Sequence, residues 1–226
     1  CKIINNFEKE TIVEKDKLNI SKEMLKICIE MESRGINQGT SGNLSIRYKN
    51  GFLITPSGVK YSHLETEDII FVSLDGKFDS LKQRPSSEWR IHKDIYLNKK
   101  EANAVVHAHS IHATAVSAHG KSIPAFHYMV ALAGGDDIKC AEYATFGTEE
   151  LSKNILEALD KRKACLMSNH GQVVFDTNLE KAFELAEEIE NICHQYVNTL
   201  KIGIPKILSN NEMKKVLEKV KDYKKE

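Results

Sequence analysis

The chain has 226 residues, 41% hydrophobic and 28% charged, enough to bury a substantial core within one domain. Its 32 basic and 32 acidic residues cancel, which argues against a nucleic-acid footprint or a membrane-surface patch, so an anionic ligand must be held by a local site. No apolar run approaches a membrane span, the N-terminal residues lack a signal-peptide core, and the five cysteines are widely spaced without a Cys-x-x-Cys, so a cytoplasmic protein with reduced thiols is expected.

The polar, charged stretch 1–17 is expected to be a loosely attached extension, with one domain over 18–226. Met24, Leu25, Ile27, Cys28 and Met31 recur at helical spacing, which predicts a first amphipathic helix over 20–34 that stops at Gly35. A glycine-rich turn, Gly39-Thr40-Ser41-Gly42-Asn43, then enters an alternating strand, and Asn50-Gly51 predicts a hairpin turn into Phe52-Leu53-Ile54. Thr55-Pro56-Ser57-Gly58 makes a second tight turn, and 68–74 reads as a strand closed by Asp75-Gly76. Pro85-Ser86-Ser87-Glu88 predicts a helix to Leu97 with serine caps and an acidic first turn.

A strand of β-branched residues then ends in His107-Ala108-His109 and leads into a helix over 110–118 with Ser110 as its cap. Glycine-rich turns at Gly134-Gly135 and Gly147 bracket a short extended piece. A helix over 148–159 precedes the apolar strand that delivers His170, Val173-Val174-Phe175 pairs back on that strand, and helices over 178–200 and 210–222 close the chain. Short strands joined by hairpins with helices between them predict an α/β fold, a three-layer α/β/α single domain with a central, largely antiparallel sheet.

Side chains alternate along a strand, so His107 and His109 point the same way, and His170 at the end of a similar strand supplies a third imidazole. Three histidines with an open position are a catalytic zinc pattern. His112 is set aside because it falls in the first turn of the following helix, away from the strand face. Gly42-Asn43, Ser57-Gly58 and Ser86-Ser87 each couple exposed backbone N–H groups with a polar side chain, as anion cradles do. Glu88, one residue beyond the last of these, is placed to take a proton from a metal-held substrate. Taken alone each feature has a plainer reading: a core histidine, an ordinary turn, an acidic first turn.

The order of the set is more telling than its parts. Gly39 to Asn43, Leu53 to Gly58, Pro85 to Glu88, His107-Ala108-His109, Tyr143-Ala144-Thr145-Phe146-Gly147 and Asn169-His170-Gly171 together resemble the class II aldolase family. That resemblance spans about 18–223. It implies one Zn2+ per subunit held by His107, His109 and His170, with Glu88 as a displaceable fourth ligand that becomes the acid/base. It implies a substrate phosphate bound by Gly42, Asn43, Ser57, Gly58, Ser86 and Ser87. It further implies that Tyr128 reaches across a subunit boundary to the aldol oxygen, that Phe146 and Tyr223 shape the aldehyde side, and that the assembly is a homotetramer with sites between subunits.

The implied reaction is reversible cleavage of a ketose 1-phosphate to dihydroxyacetone phosphate and a small aldehyde, a carbon–carbon lyase activity with metal rather than a lysine Schiff base carrying the electrons. The partner is thus a small sugar phosphate, with neither nucleic acid nor membrane. Pentulose-phosphate 4-epimerases and methylthioribulose-1-phosphate dehydratases share the metal chemistry, and a metal-free interaction module shares the fold. Glutamate at position 88, where those epimerases carry aspartate, favours the aldolase. The chain stops soon after Tyr223, which sets the tail's part in closing the site apart from the family pattern.

Overall fold

A computed structural model describes residues 2–79 and 83–223, with side chains over 14–79 and 83–221. Among the described residues one seven-stranded sheet is formed by β1 (Asn43–Tyr48), β2 (Gly51–Ile54), β3 (Ile70–Ser73), β4 (Ala104–Ala108), β5 (Cys140–Ala141), β6 (Ala164–Met167) and β7 (Gly171–Asp176). The strand order is β3-β2-β1-β4-β7-β6-β5, and every pair is antiparallel except β5 with β6. Short hairpins make the β1–β2 and β6–β7 pairs, whereas β2–β3, β1–β4 and β4–β7 join strands that lie far apart in the chain.

The helices are α1 (Lys2–Ser33), α2 (Trp89–Asn98), α3 (Ile111–Ser117), α4 (Glu149–Ala158), α5 (Leu179–Ile202) and α6 (Asn210–Tyr223). They cover the sheet from both sides. Leu44, Leu53, Val106, Leu166 and Val174 point into a core with Met24 of α1, Ala113 of α3, Ile189 of α5 and Met213 of α6. Their chain neighbours Phe52, Val105, Cys165 and Val173 point into a second core with Ile91 and Ile95 of α2 and Leu151 and Ile155 of α4. A period of two along each strand, apolar on both faces, is what a sheet sandwiched between helices requires.

Some local expectations change. α1 begins at Lys2, so the expected start near residue 20 lies inside it. The first hairpin turns at Lys49-Asn50, with Lys49 at φ 50°, and Gly51 is already in β2. A Cβ on Gly51 would lie 2.2 Å from the Val72 carbonyl oxygen, so glycine is needed there for strand approach rather than for the turn. α2 starts at Trp89, and the expected serine caps are absent: Glu88 occupies the cap position without a side-chain cap bond. Ser110 likewise makes no side-chain cap to α3. The Glu190 carboxylate of α5 accepts from the His112 and Ala113 amides instead, at 2.9 and 2.8 Å, and from His112 Nδ1 at 2.7 Å. No helix among the described residues is long and apolar enough to cross a membrane.

Candidate active site

The register of β4 assembles the centre of the site. His107 pairs with Asn43 of β1 on one side and with Val173 of β7 on the other, and Ala108 pairs with Gln172. His109 leaves the end of β4 beside the β6–β7 hairpin, where Asn169 at φ 55° turns the chain and His170 follows. A Cβ on Gly171 would lie 2.4 Å from the Ala108 carbonyl oxygen, so only glycine lets the hairpin close against β4. Gly171→Ala is therefore expected to cost about 2 kcal/mol of stability by overpacking and to displace His170. Thermal denaturation and metal titration of that variant measure the two effects.

Four ligand-type side chains meet here. The nitrogen or oxygen atoms of Glu88, His107, His109 and His170 all lie within 4.8 Å of one another. Glu88 Oε2 is 3.0 Å from His107 Nε2, Glu88 Oε1 is 3.2 Å from His170 Nε2, and the Nε2 atoms of His107 and His109 are 3.0 Å apart. His107 Nδ1 donates to the Gln172 carbonyl at 2.8 Å, which turns Nε2 to the centre, where it is bare once an ion is held there. Bare nitrogens facing a carboxylate repel one another unless a cation lies between them. Three imidazoles and one carboxylate fit a divalent ion of the zinc type, with room for an exchangeable position.

Crowding also perturbs protonation. Burial, aided by the charges of His107 and His170, pulls His109 down to about 4. For His107 burial acts downward, but the neighbouring Glu88 carboxylate outweighs it and raises the ring. For Glu88 burial acts upward, and the charge and hydrogen bonding of His107 and His170 override it, holding the carboxyl well below the usual carboxylate range.

Glu88, His109 and His170 of this cluster floor a cavity of about 330 Å³, and His107 is fully buried. All three turns singled out as anion cradles reach it: Gly42 and Asn43, Ser57 and Gly58, Ser86 and Ser87 line its wall beside Glu88, His109 and His170. The second and third turns are stitched together, with Ser57 N bonding the Arg84 carbonyl at 3.0 Å and Ser86 N bonding the Thr55 carbonyl at 3.1 Å. Gly42, at φ +74°, holds the first against β4, where a Cβ would meet the His107 carbonyl oxygen at 2.8 Å. Phe146 is on the rim and 65% exposed. Thr40, Ser41, Tyr143 and Asn169, which stand in the sequence motifs without an assigned role, also line the cavity.

Two expected residues are not part of this wall. Tyr128 opens a short 3₁₀ helix, Tyr128–Ala133, is 55% exposed and does not line its own chain's cavity. The side chain of Tyr223 lies outside the described residues.

Comparison with known proteins agrees with this geometry. Residues 22–197 match the family described as "Class II Aldolase and Adducin N-terminal domain". An L-fuculose phosphate aldolase of Escherichia coli strain K12 is 49% identical over 212 residues, 93% of this chain and 97% of that protein. A 5-methylthioribulose-1-phosphate/5-deoxyribulose-1-phosphate aldolase of Rhodospirillum rubrum is 46% identical over 194 residues, 86% of this chain and 87% of that protein. Among solved structures, an L-fuculose 1-phosphate aldolase superposes with a TM-score of 0.86 at 35% identity, covering 90% of this chain and 96% of that one.

Proposed function

The chain belongs to the family of class II aldolases and adducin N-terminal domains, and from that premise we propose that it is a metal-dependent aldolase cleaving L-fuculose 1-phosphate to dihydroxyacetone phosphate and L-lactaldehyde. The observation that carries this reading is the convergence of Glu88 with three histidines at the floor of a cavity walled by three polar turns. A metal-free interaction module has no use for such a cluster.

The proposed resident ion is Zn2+, one per subunit, held by His107, His109, His170 and, before substrate arrives, Glu88. Bound there, it supplies Lewis-acid polarisation of the substrate's carbonyl and hydroxyl oxygens. Ser57, Ser86 and Ser87 bind the phosphate with side-chain donors, and the backbone amides of the Gly42-Asn43 and Ser57-Gly58 turns complete the cradle. In the synthetic direction Glu88, freed from its ligand role, removes the C–H proton of dihydroxyacetone phosphate; in cleavage it returns that proton to carbon after the C–C bond has broken.

The partner subunit's Tyr128 takes the other end of the reaction, donating a hydrogen bond or proton to the oxygen formed from the aldehyde. Its exposure and its position off its own chain's cavity support a homotetramer with sites between subunits. Phe146 and Tyr223 are assigned to the aldehyde side. A cytoplasmic step in fucose degradation accords with the free thiols of Cys28, Cys140, Cys165 and Cys193.

Tyr128→Phe is expected to spare proton exchange into dihydroxyacetone phosphate while slowing cleavage by about a hundredfold, the range for loss of one acid/base group. Parallel loss of both steps would contradict the division of labour. The Rhodospirillum relative favours a second substrate, 5-methylthioribulose 1-phosphate or 5-deoxyribulose 1-phosphate, on the same centre. Coupled assays of dihydroxyacetone phosphate release from each ketose 1-phosphate test the choice; release from none by zinc-loaded protein would defeat the aldolase reading.

A further inference from the structure

Behind the cavity wall a file of buried polar side chains links α2 to Glu88. Tyr96 Oη is 2.8 Å from Ser45 Oγ, and Ser45 Oγ is 2.6 Å from His92 Nδ1. His92 Nε2 bonds Asn43 Oδ1 in turn, and Asn43 Nδ2 reaches Ser86 Oγ at 2.8 Å and Glu88 Oε2 at 3.1 Å. Ser45 and His92 are fully buried, and Asn43 and Tyr96 are each 2% exposed. Neither Ser45, His92 nor Tyr96 touches the cavity, so substrate contact does not explain them.

The file has only one consistent direction. A carboxylate accepts and cannot donate, so Asn43 must turn its Nδ2 group to Glu88 and its carbonyl oxygen to His92. His92 Nε2 must then carry the proton. Burial, with the nearby His107 charge, pulls His92 down to about 3, so the ring is neutral and Nδ1 accepts the Ser45 O–H. Ser45 in turn accepts from Tyr96. Ser86 Oγ, which accepts from Asn43 and from the Glu88 amide at 3.3 Å, keeps its own proton for the cavity.

We infer that His92, held as the Nε2–H tautomer between the Asn43 carbonyl and the Ser45 hydroxyl, is a positioning residue that fixes the Asn43 amide so that it donates to Glu88 and turns the Ser86 hydroxyl proton toward the substrate. The inference rests on the reading of Glu88 as the base. A His92 in the other tautomer would present a bare nitrogen to the Asn43 carbonyl, and relief by rotating the amide would set an oxygen against the carboxylate. One proton's location thus decides the polarity of the whole wall.

The test uses ring-¹⁵N-histidine, zinc-loaded protein and ¹H exchange into deuterated solvent from dihydroxyacetone phosphate. The His92 signals, assigned by their absence in His92→Gln, are expected to show protonated Nε2 and bare Nδ1. Ser45→Ala, which removes the donor to Nδ1, should shift the Nδ1 signal to that of a nitrogen without a hydrogen bond and reduce exchange about tenfold, the scale for one buried hydrogen bond, with zinc content unchanged. Tyr96→Phe, which leaves Ser45 able to donate, should keep the tautomer and lose about twofold.

A protonated Nδ1 in the unsubstituted protein overturns the inference. So does a Ser45→Ala protein that exchanges at the original rate, or one that loses exchange with its Nδ1 signal unchanged, which would make Ser45 a packing residue. Failure of the unsubstituted protein to exchange at all would instead remove the Glu88 reading, and the tautomer measurement would still stand by itself.

Discussion

Replacing Glu88 with glutamine is expected to lower proton exchange into dihydroxyacetone phosphate by about a thousandfold, within the range contributed by a positioned general base. Glutamine has nearly the volume of glutamate, so the 6%-exposed side chain stays packed and its amide oxygen still receives the Asn43 Nδ2 bond. The lost property is the ability to take a proton. His107, His109 and His170 remain to hold the ion, so zinc stoichiometry should stay near that of the unsubstituted protein. Deuterium incorporation by NMR alongside metal analysis separates the two effects. Exchange at the original rate would remove Glu88 from the chemistry, whereas loss of both zinc and exchange would make it chiefly a ligand.

Stripping the metal should have a larger effect still, abolishing cleavage, with activity returning on zinc addition. The four ligand groups lie within 4.8 Å of one another, and without a cation their bare nitrogens and carboxylate oxygens share protons or repel. Loading should therefore also stabilise the fold: ligand at about a thousand times its dissociation constant adds about 4 kcal/mol. A denaturation midpoint that rises on zinc addition reads this without any assay of activity. Cleavage that survives exhaustive chelation would contradict the assigned centre.

The parts of the site that were legible in the sequence are those whose geometry is local. Strand alternation alone puts His107 and His109 on one face, and Asn169-His170-Gly171 announces a turn that exposes an imidazole. Glu88 is visible through its adjacency to Ser86-Ser87, but it sits at the cap of α2, where it lines the cavity, rather than in the helix's first turn. The cap of α3 could not be read locally because Glu190 arrives from α5, a helix far along the chain. The same holds for His92, whose partners Ser45 and Asn43 belong to β1, so that only the packing of α2 on the sheet reveals the buried file. Tyr143 and Asn169 stand in motifs but have no assigned role there, since which residues of a loop wall a cavity depends on how loops meet.

The strand order has a consequence for how the molecule matures. His107 and His109 are neighbours in the chain, but His170 reaches them only through β4–β7 pairing, and Glu88 only once its loop is bridged at Pro56–Pro85 against the β1–β2 hairpin. Contacts across such separations form late, after their loop-closure entropy has been offset by apolar burial on both faces of the sheet. Of the four groups only His107 and His109 are paired before the sheet forms, so folding is expected to precede completion of the centre, and a refolding rate unchanged by added zinc would bear this out.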